Sequence, residues 1–258
     1  LIRSEEEPFP QEALDELREE RLLREAEELA SFPPCRVEIA LGADGGLFAV
    51  LPTGVEPQLP FACNGPFVQD PGRTGIKDPE VSPTNRWLLR RIGRLAAETM
   101  LAWLQRAELP EEERARAYSL LPSTARTRSG TLAGSCAVAV RAAFDERIRG
   151  EPYVLTTEGE LARAGEAIAV PAPLLDVWSG PQVAAMFARA GTPVASKHIG
   201  REAAAELAQR RAVRTYSVED FVERVRYTSP PRPDSLAQVV QLWAFLWEPI
   251  RRWWLPQP

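Results

Sequence analysis

The sequence contains few of the residues from which metal sites and nucleophilic sites are usually built. Its 258 residues include a single histidine, His198, and three widely separated cysteines, Cys35, Cys63 and Cys136. One histidine and scattered thiols cannot form a usual zinc site. An odd and sparse set of cysteines also gives no disulfide framework. We therefore expect no bound metal, and reduced thiols that pack as small apolar residues in a cytoplasmic protein.

Long apolar runs and an excess of positive charge are also missing. No apolar run approaches the roughly 18 residues of a membrane-spanning helix. The start of the chain, Leu1-Ile2-Arg3-Ser4 and a glutamate run, is not a signal peptide, and without an initiator Met we interpret the sequence as an excised segment. The net charge of −5 argues against broad binding of nucleic acid, which requires clustered cations. We expect a soluble protein that has no membrane partner.

The periodicity of the sequence predicts an α+β fold: a small mixed sheet with helices on one side, followed by a smaller α/β module that ends in helices. Residues 1–31 form a connector with a helix over 12–30, whose leucines recur on one face. Residues 32–150 form the first domain and residues 151–258 the second. The elements that we predict in the first domain are strands 36–41 and 47–51 joined by a hairpin turn at 42–46, strand 59–68, and helices 85–106, 111–120 and 129–149.

The second domain is predicted from shorter patterns. Ser217, followed by Glu219 and Asp220, has the features of a helix N-terminus, because the hydroxyl caps free N–H groups and the acids oppose the helix dipole. A last helix over 235–254 is rich in tryptophan, and Trp243, Trp247 and other apolar residues follow helical spacing along it. The remaining predicted elements are strands 152–155, 167–170 and 192–195 and helices 181–190, 201–209 and 217–225.

Three stretches of the chain resemble one protein family. Residues 47–73 read LFAVLPTGVEPQLPFACNGPFVQDPGR, residues 85–89 read NRWLL, and residues 152–168 read PYVLTTEGELARAGEAI. In this order they are similar to the middle, or transducer, region of GHKL-type ATPases, closest to the sacsin-like branch related to HtpG-type chaperones of the heat-shock protein 90 family. Each stretch is weakly specific, and the resemblance rests on their order and spacing over about residues 1–225.

The resemblance implies a function for the loop 69–78. In the family such a loop carries a basic residue to the γ-phosphate of ATP, which the preceding domain holds with Mg²⁺. Arg73 matches the arginine of this loop, and Lys77 is the alternative because related transducers use lysine. Asn64 belongs to the matched turn and is the third candidate for contact with the nucleotide. The family also implies a β-α-β unit around this stretch.

The physical chemistry of the two cations agrees with that role. A guanidinium offers a planar fork of donors and an ammonium a point charge, and either can grip a phosphate while it is present. Loss of the phosphate on hydrolysis would release the loop and turn nucleotide state into domain motion. The nucleotide pocket itself is missing, since the sequence has neither a paired Asn-x-x-x-Asp/Asn and Asp-x-Gly-x-Gly pattern nor a Gly-x-x-x-x-Gly-Lys-Ser/Thr loop. We expect a parent protein that is an ATPase and a fragment that alone binds no ATP.

Two other kinds of function remain open from the sequence. The chain could be an interaction module without nucleotide, in which the tryptophan-rich last helix contacts a missing part of the protein, another subunit or a client. It could also be an accessory domain for nucleic-acid processing, in which Arg126 and Arg128 contact phosphate. For each of these arginines a solvated surface side chain is the more common outcome.

Overall fold

The computed structural model describes residues 1–20, 32–43, 45–124 and 130–254 of the chain. They form a mixed fold of helices and small sheets, which confirms the predicted α+β class. The chain divides into two compact units, one of Leu1–Ala102 and Ala117–Arg149 and the other of Trp103–Arg116 and Gly150–Pro258. None of the helices that the structure describes is both long enough and apolar enough to cross a bilayer.

The first unit contains a five-stranded sheet. Its strands are β1 (Ile2–Arg3), β2 (Glu38–Leu41), β3 (Leu47–Ala49), β4 (Leu51–Pro52) and β5 (Phe61–Asn64). The strand order is β1-β2-β5-β3-β4, and all neighbours are antiparallel except β3 and β5. The predicted hairpin between 36–41 and 47–51 was therefore wrong, because β5 lies between β2 and β3. Phe61, Ala62 and Cys63 are buried in succession, and a strand buried on both faces belongs in the middle of a sheet.

Three helices complete the first unit. They are α1 (Gln11–Glu20), α2 (Pro83–Leu104) and, after α3 (Glu111–Ala115) of the second unit, α4 (Leu132–Ile148). The helix predicted over 12–30 is seen as α1, and residues 21–31 lie outside the described part. Every described strand of the sheet precedes α2, so among the described residues no β-α-β unit surrounds the loop, and that expectation was wrong.

The central helix α2 is buried around most of its circumference. Gly93 lies at its contact with α4, where a Cβ atom would come within 2.2 Å of the Val140 carbonyl oxygen. The glycine therefore lets the two helix backbones approach closely. The exposed side chains of α2 form one row at intervals of four residues: Arg86, Arg90, Arg94, Glu98 and Ala102.

The second unit contains two small sheets and six further helices in the described residues. An antiparallel pair is formed by β6 (Pro152–Leu155) and β7 (Leu161–Arg163), and a parallel pair by β8 (Ala167–Ala169) and β9 (Val213–Thr215). The strand predicted at 192–195 makes only single bridges, from Ala195 to Thr156 and from Val194 to Ile168. The helices besides α3 are α5 (Ala172–Leu175), α6 (Gly180–Phe187), α7 (Arg201–Gln209), α8 (Val218–Tyr227) and α9 (Leu236–Trp254).

Local signals located two of these helices correctly. The helix predicted at 201–209 is observed as α7 with the same bounds. Ser217 caps α8 as predicted: its hydroxyl accepts a hydrogen bond from the Asp220 amide, and the Asp220 carboxylate accepts one from the Ser217 amide. The helix predicted over 111–120 divides into α3 and a 3₁₀ turn, Arg116–Leu120.

Candidate functional site

The loop 69–78 connects β5 to α2 and is closed by its own polar groups. The Asp70 carboxylate accepts hydrogen bonds from the backbone amides of Thr74, at 3.0 Å, and Gly75, at 3.2 Å. The amide of Arg73 donates to the Asp70 carbonyl at 3.0 Å. Arg73 has a φ of +55°, a left-handed conformation that costs a non-glycine residue roughly 1–2 kcal/mol. The hydrogen bonds to Asp70 offset this cost and hold Arg73 in the turn.

Asn85 clamps the two ends of the loop together. Its side chain is fully buried in the first turn of α2. The side-chain oxygen accepts a hydrogen bond from the Val68 amide at 2.8 Å, and the side-chain nitrogen donates to the carbonyls of Val68 and Lys77, both at 2.8 Å. A buried amide that satisfies three groups in this way fixes where the loop leaves and rejoins the protein.

Lys77, one of the two candidate cations, is held by acidic residues of α1. Its ammonium lies 2.8 Å from a carboxylate oxygen of Glu20 and 3.2 Å from one of Glu16. The hydrogen bond to Glu20, aided by that to Glu16, raises the pKa of Lys77. The ammonium is therefore engaged within the unit, and a nucleotide would have to displace two carboxylates to reach it.

Glu16 joins α1 to the start of α2. One of its carboxylate oxygens accepts hydrogen bonds from the Ser82 hydroxyl and the Thr84 amide, both at 2.9 Å. Burial raises the pKa of this carboxyl, but the hydrogen bonds from Thr84, Ser82 and Lys77 outweigh burial and leave the pKa below its usual value. A carboxylate at this position also satisfies a free amide at the positive end of the α2 dipole.

Arg73 differs from Lys77 in its exposure and in its contacts with the described residues. Its side chain is exposed, and no carboxylate of the described residues forms an ion pair with it. The turn made by Asp70 and the clamp made by Asn85 order the backbone that carries it. No described carboxylate therefore pairs with the Arg73 guanidinium on this ordered turn, a geometry that suits contact with an external anion.

Asn64 is used inside the sheet. Its side-chain nitrogen donates to the Glu38 carboxylate at 3.1 Å, and its oxygen accepts from the Val50 amide at 3.2 Å. The bond from Asn64, together with Arg3, lowers the pKa of Glu38. Neither hydrogen bond connects Asn64 to the loop that carries Arg73.

The first unit also contains a cavity of about 630 Å³ where the starts of α2 and α4 meet. Arg86 and Arg141 supply positive charge at its walls, and Val138 supplies an apolar surface. Of the described residues that line it, none belongs to the loop 69–78.

The described residues also contain no group of three acidic, histidine or cysteine side chains that could hold a metal ion. Arg126 and Arg128, the candidates for a nucleic-acid contact, lie outside the described residues.

The supporting residues of the loop were missed by the sequence reasoning. Asn85 had been placed only at the start of a helix, and Glu16 only within an amphipathic one. A signal existed for Glu16, which follows Ala13 by three residues and so shares the buried face of α1 with Leu17. A carboxylate on a buried face requires hydrogen-bond donors, and Ser82 and Thr84 provide them.

Comparisons of the chain with protein-family models, with curated proteins and with solved structures found no match.

Proposed function

We propose that this chain is the middle region of a sacsin-like GHKL ATPase and that its loop 69–78 carries Arg73 to the γ-phosphate of ATP bound, with Mg²⁺, in another domain. Hydrolysis would remove that contact and couple nucleotide state to rearrangement, in a chaperone-like machine or a defence complex. The observation that carries the proposal is the exposed guanidinium of Arg73, with which no described carboxylate pairs, on a turn ordered by Asp70 and Asn85. The strand order gives it no support, so the proposal depends on this loop.

The structure also favours Arg73 over Lys77 for this role. Lys77 contacts Glu16 and Glu20, and moving it to a phosphate would cost both ion pairs. Arg73 forms no such ion pair with a described residue. Its planar guanidinium can bind two phosphate oxygens at once, whereas an ammonium acts as a point charge.

The test is the rate of ATP turnover by the protein that contains both this region and the nucleotide-binding domain. Arg73→Ala should lower kcat by about 100-fold, the scale of losing one preorganised donor in a transition state. KM should change little, since the contact forms mainly with the reacting phosphate. Arg94→Ala is the matched control, because Arg94 is also an exposed arginine of the first unit and has no described ion pair.

Two results would contradict the proposal. One is an unchanged kcat in Arg73→Ala, and the other is an equal loss in Arg94→Ala, which would indicate a general charge effect.

A separate calorimetric titration of this chain with ATP should show no binding, because the sequence has no nucleotide pocket motif. Micromolar affinity of the isolated chain for ATP would mean that it holds the nucleotide itself.

A non-enzymatic interaction module is the second candidate, and the exposed face of α9 favours it. That face carries large apolar side chains that no described part of the chain covers, including Trp243 and Trp247. A module of this kind needs no nucleotide, so wild-type turnover in Arg73→Ala would leave this candidate in place.

A further inference from the structure

The last helix, α9, packs on the second unit along one face. Leu246 is buried, and Leu242 and Phe245 are half-buried against a core that includes Trp178 and Phe221. These contacts fix the rotation of α9 about its axis. They therefore also determine which side chains point away from the unit.

The opposite face of α9 exposes an unbroken apolar row. No charged residue occurs in the sequence between Asp234 and Glu248, so no charged side chain interrupts the row. Single exposed apolar residues are normal, but a contiguous row that includes two tryptophans marks a contact surface. The members of this α9 row, with their exposed fractions, are Leu236 (79%), Val239 (43%), Val240 (60%), Trp243 (58%) and Trp247 (49%).

The spacing of the row is that of paired helices. Leu236, Val240, Trp243 and Trp247 are separated by four, three and four residues, which is the a/d pattern of a heptad repeat. In the sequence, the same alternation continues to an isoleucine at 250 and a tryptophan at 254. This pattern keeps the apolar side chains on one side of the helix over its whole length. Such a stripe is the surface along which two helices pack in a coiled coil.

We propose that a second copy of this chain covers the α9 row, with the two α9 helices packed antiparallel about a two-fold axis near Trp243. The side chains of the row are small at Val239 and Val240 and bulky at Trp243 and Trp247. An antiparallel pair places Trp247 of each copy opposite Val239 of the other, so that a large side chain meets a small one there and only Trp243 faces its own copy at the axis. A parallel pair would instead set both tryptophans against their own copies. A surface that complements itself in this way forms a closed two-fold dimer.

The exposed area of the row agrees with this arrangement. The α9 row exposes on the order of 600 Å², since a tryptophan side chain alone presents roughly 150–250 Å². A stable interface needs about 800 Å² on each partner. Exposed Tyr227 and Val225, at the end of the adjoining helix α8, supply further area.

The first test is the mass of the chain in solution, measured by light scattering during size-exclusion chromatography at micromolar concentration. The wild type should have twice the 28.6 kDa of one chain. Val240→Glu should be monomeric, because each new carboxylate would be buried without a partner against the apolar row of the other copy. Val81→Glu is the matched control: Val81 is 67% exposed and lies in the first unit, so this variant should remain dimeric. Circular dichroism verifies that both variants are folded.

The second test measures the arrangement of the helices by electron spin resonance. Spin labels are attached to cysteines introduced at the exposed positions Gln241 and Ser235, in a Cys35→Ser background. The antiparallel pair predicts labels close together at 241 and about 25 Å apart along the helix axis at 235, from a rise of about 1.5 Å per residue. Similar distances at both positions would overturn the antiparallel arrangement.

Either a monomeric wild type or a dimer that persists in Val240→Glu would overturn the assignment of the interface to α9. These outcomes are independent of the ATPase proposal, because Arg73→Ala leaves the α9 row intact and should remain dimeric.

Discussion

Substituting Glu16 by glutamine tests how the loop and the two helices around it are held together. The change keeps the size of the side chain and removes its charge. In the structure this carboxylate accepts two hydrogen bonds, from Ser82 and Thr84, and lies 3.2 Å from the Lys77 ammonium. Glutamine would retain one acceptor oxygen. Its NH₂ group, however, would point either at the Lys77 ammonium or at the Ser82 and Thr84 donors. In either case two hydrogen-bond donors would face each other.

We expect Glu16→Gln to lower the free energy of opening of the first unit by about 2 kcal/mol. Hydrogen bonds to a charged group contribute about 1.5–3 kcal/mol, which sets this scale. The ion pair with Lys77 adds little, because the Lys77 side chain is 35% exposed and exposed pairs contribute less than about 1 kcal/mol. The loss therefore comes mainly from the buried contacts at the start of α2.

Hydrogen exchange is the suitable assay, because a protein of two units does not have a single well-defined free energy of unfolding. Protection of amides in α1 and in the first turns of α2, including that of Thr84, reports the opening of this junction. Glu19→Gln is the control, since Glu19 is exposed on the same helix and has no described ion pair. The control should change the opening free energy by less than about 0.5 kcal/mol.

The dependence on pH follows from the lowered pKa of Glu16. In the unfolded chain this carboxyl titrates near 4.5, and in the folded protein it titrates at lower pH. Its contribution to stability is therefore complete above about pH 4.5 and is lost as the pH falls through the folded value. The difference between wild type and Glu16→Gln should be constant at neutral pH and shrink in acid. A difference below about 0.5 kcal/mol at pH 7, or one that grows in acid, would refute the reasoning.

Two further predictions concern packing and the thiols. Gly93→Ala should lower the opening free energy by about 1–2 kcal/mol in the same assay, because overpacking against the α4 backbone at 2.2 Å outweighs the gain in helix propensity; Gly200→Ala, with no atom within 4 Å, should be nearly neutral. A thiol reagent at pH 8 should modify Cys35 first in the folded chain and all three cysteines in urea, because Cys35 is partly exposed whereas Cys63 and Cys136 are buried. Burial raises the pKa of all three thiols, that of Cys136 to about 12, so access to the reagent decides the order. Rapid modification of a folded Cys35→Ser variant would contradict this.

Much of the secondary structure could be predicted from the sequence because its signals are local. The bounds of α7 and the cap of α8 at Ser217 depend on residues within one helical turn. The apolar period of α2 likewise located that helix to within two residues at each end. The pairing of strands could not be read in this way, because β5 enters between β2 and β3 only when the whole sheet forms. A glycine-rich turn indicates a change of direction but not the partner of the strand that follows.

The candidate site was predictable only in part. A loop with two cations before a long helix was visible in the sequence, but which cation remained free depended on distant residues. Glu16 and Glu20 are about 60 positions from Lys77 in the chain, and only folding brings them to it. The buried hydrogen bonds of Asn85 to Val68 and Lys77 could not be predicted either, since an asparagine at a helix start is usually a local cap.

By itself, the sequence determined the α+β class, the amphipathic helices and the apolar heptad of α9, because each depends on residue types repeated at short intervals. Tertiary structure decided the strand order, the commitment of Lys77 to α1, the exposure of Arg73 and the face of α9 that is left uncovered. The physical reason is that burial and charge pairing depend on residues far apart in the chain. Propensity and periodicity contain no information about which of these residues meet.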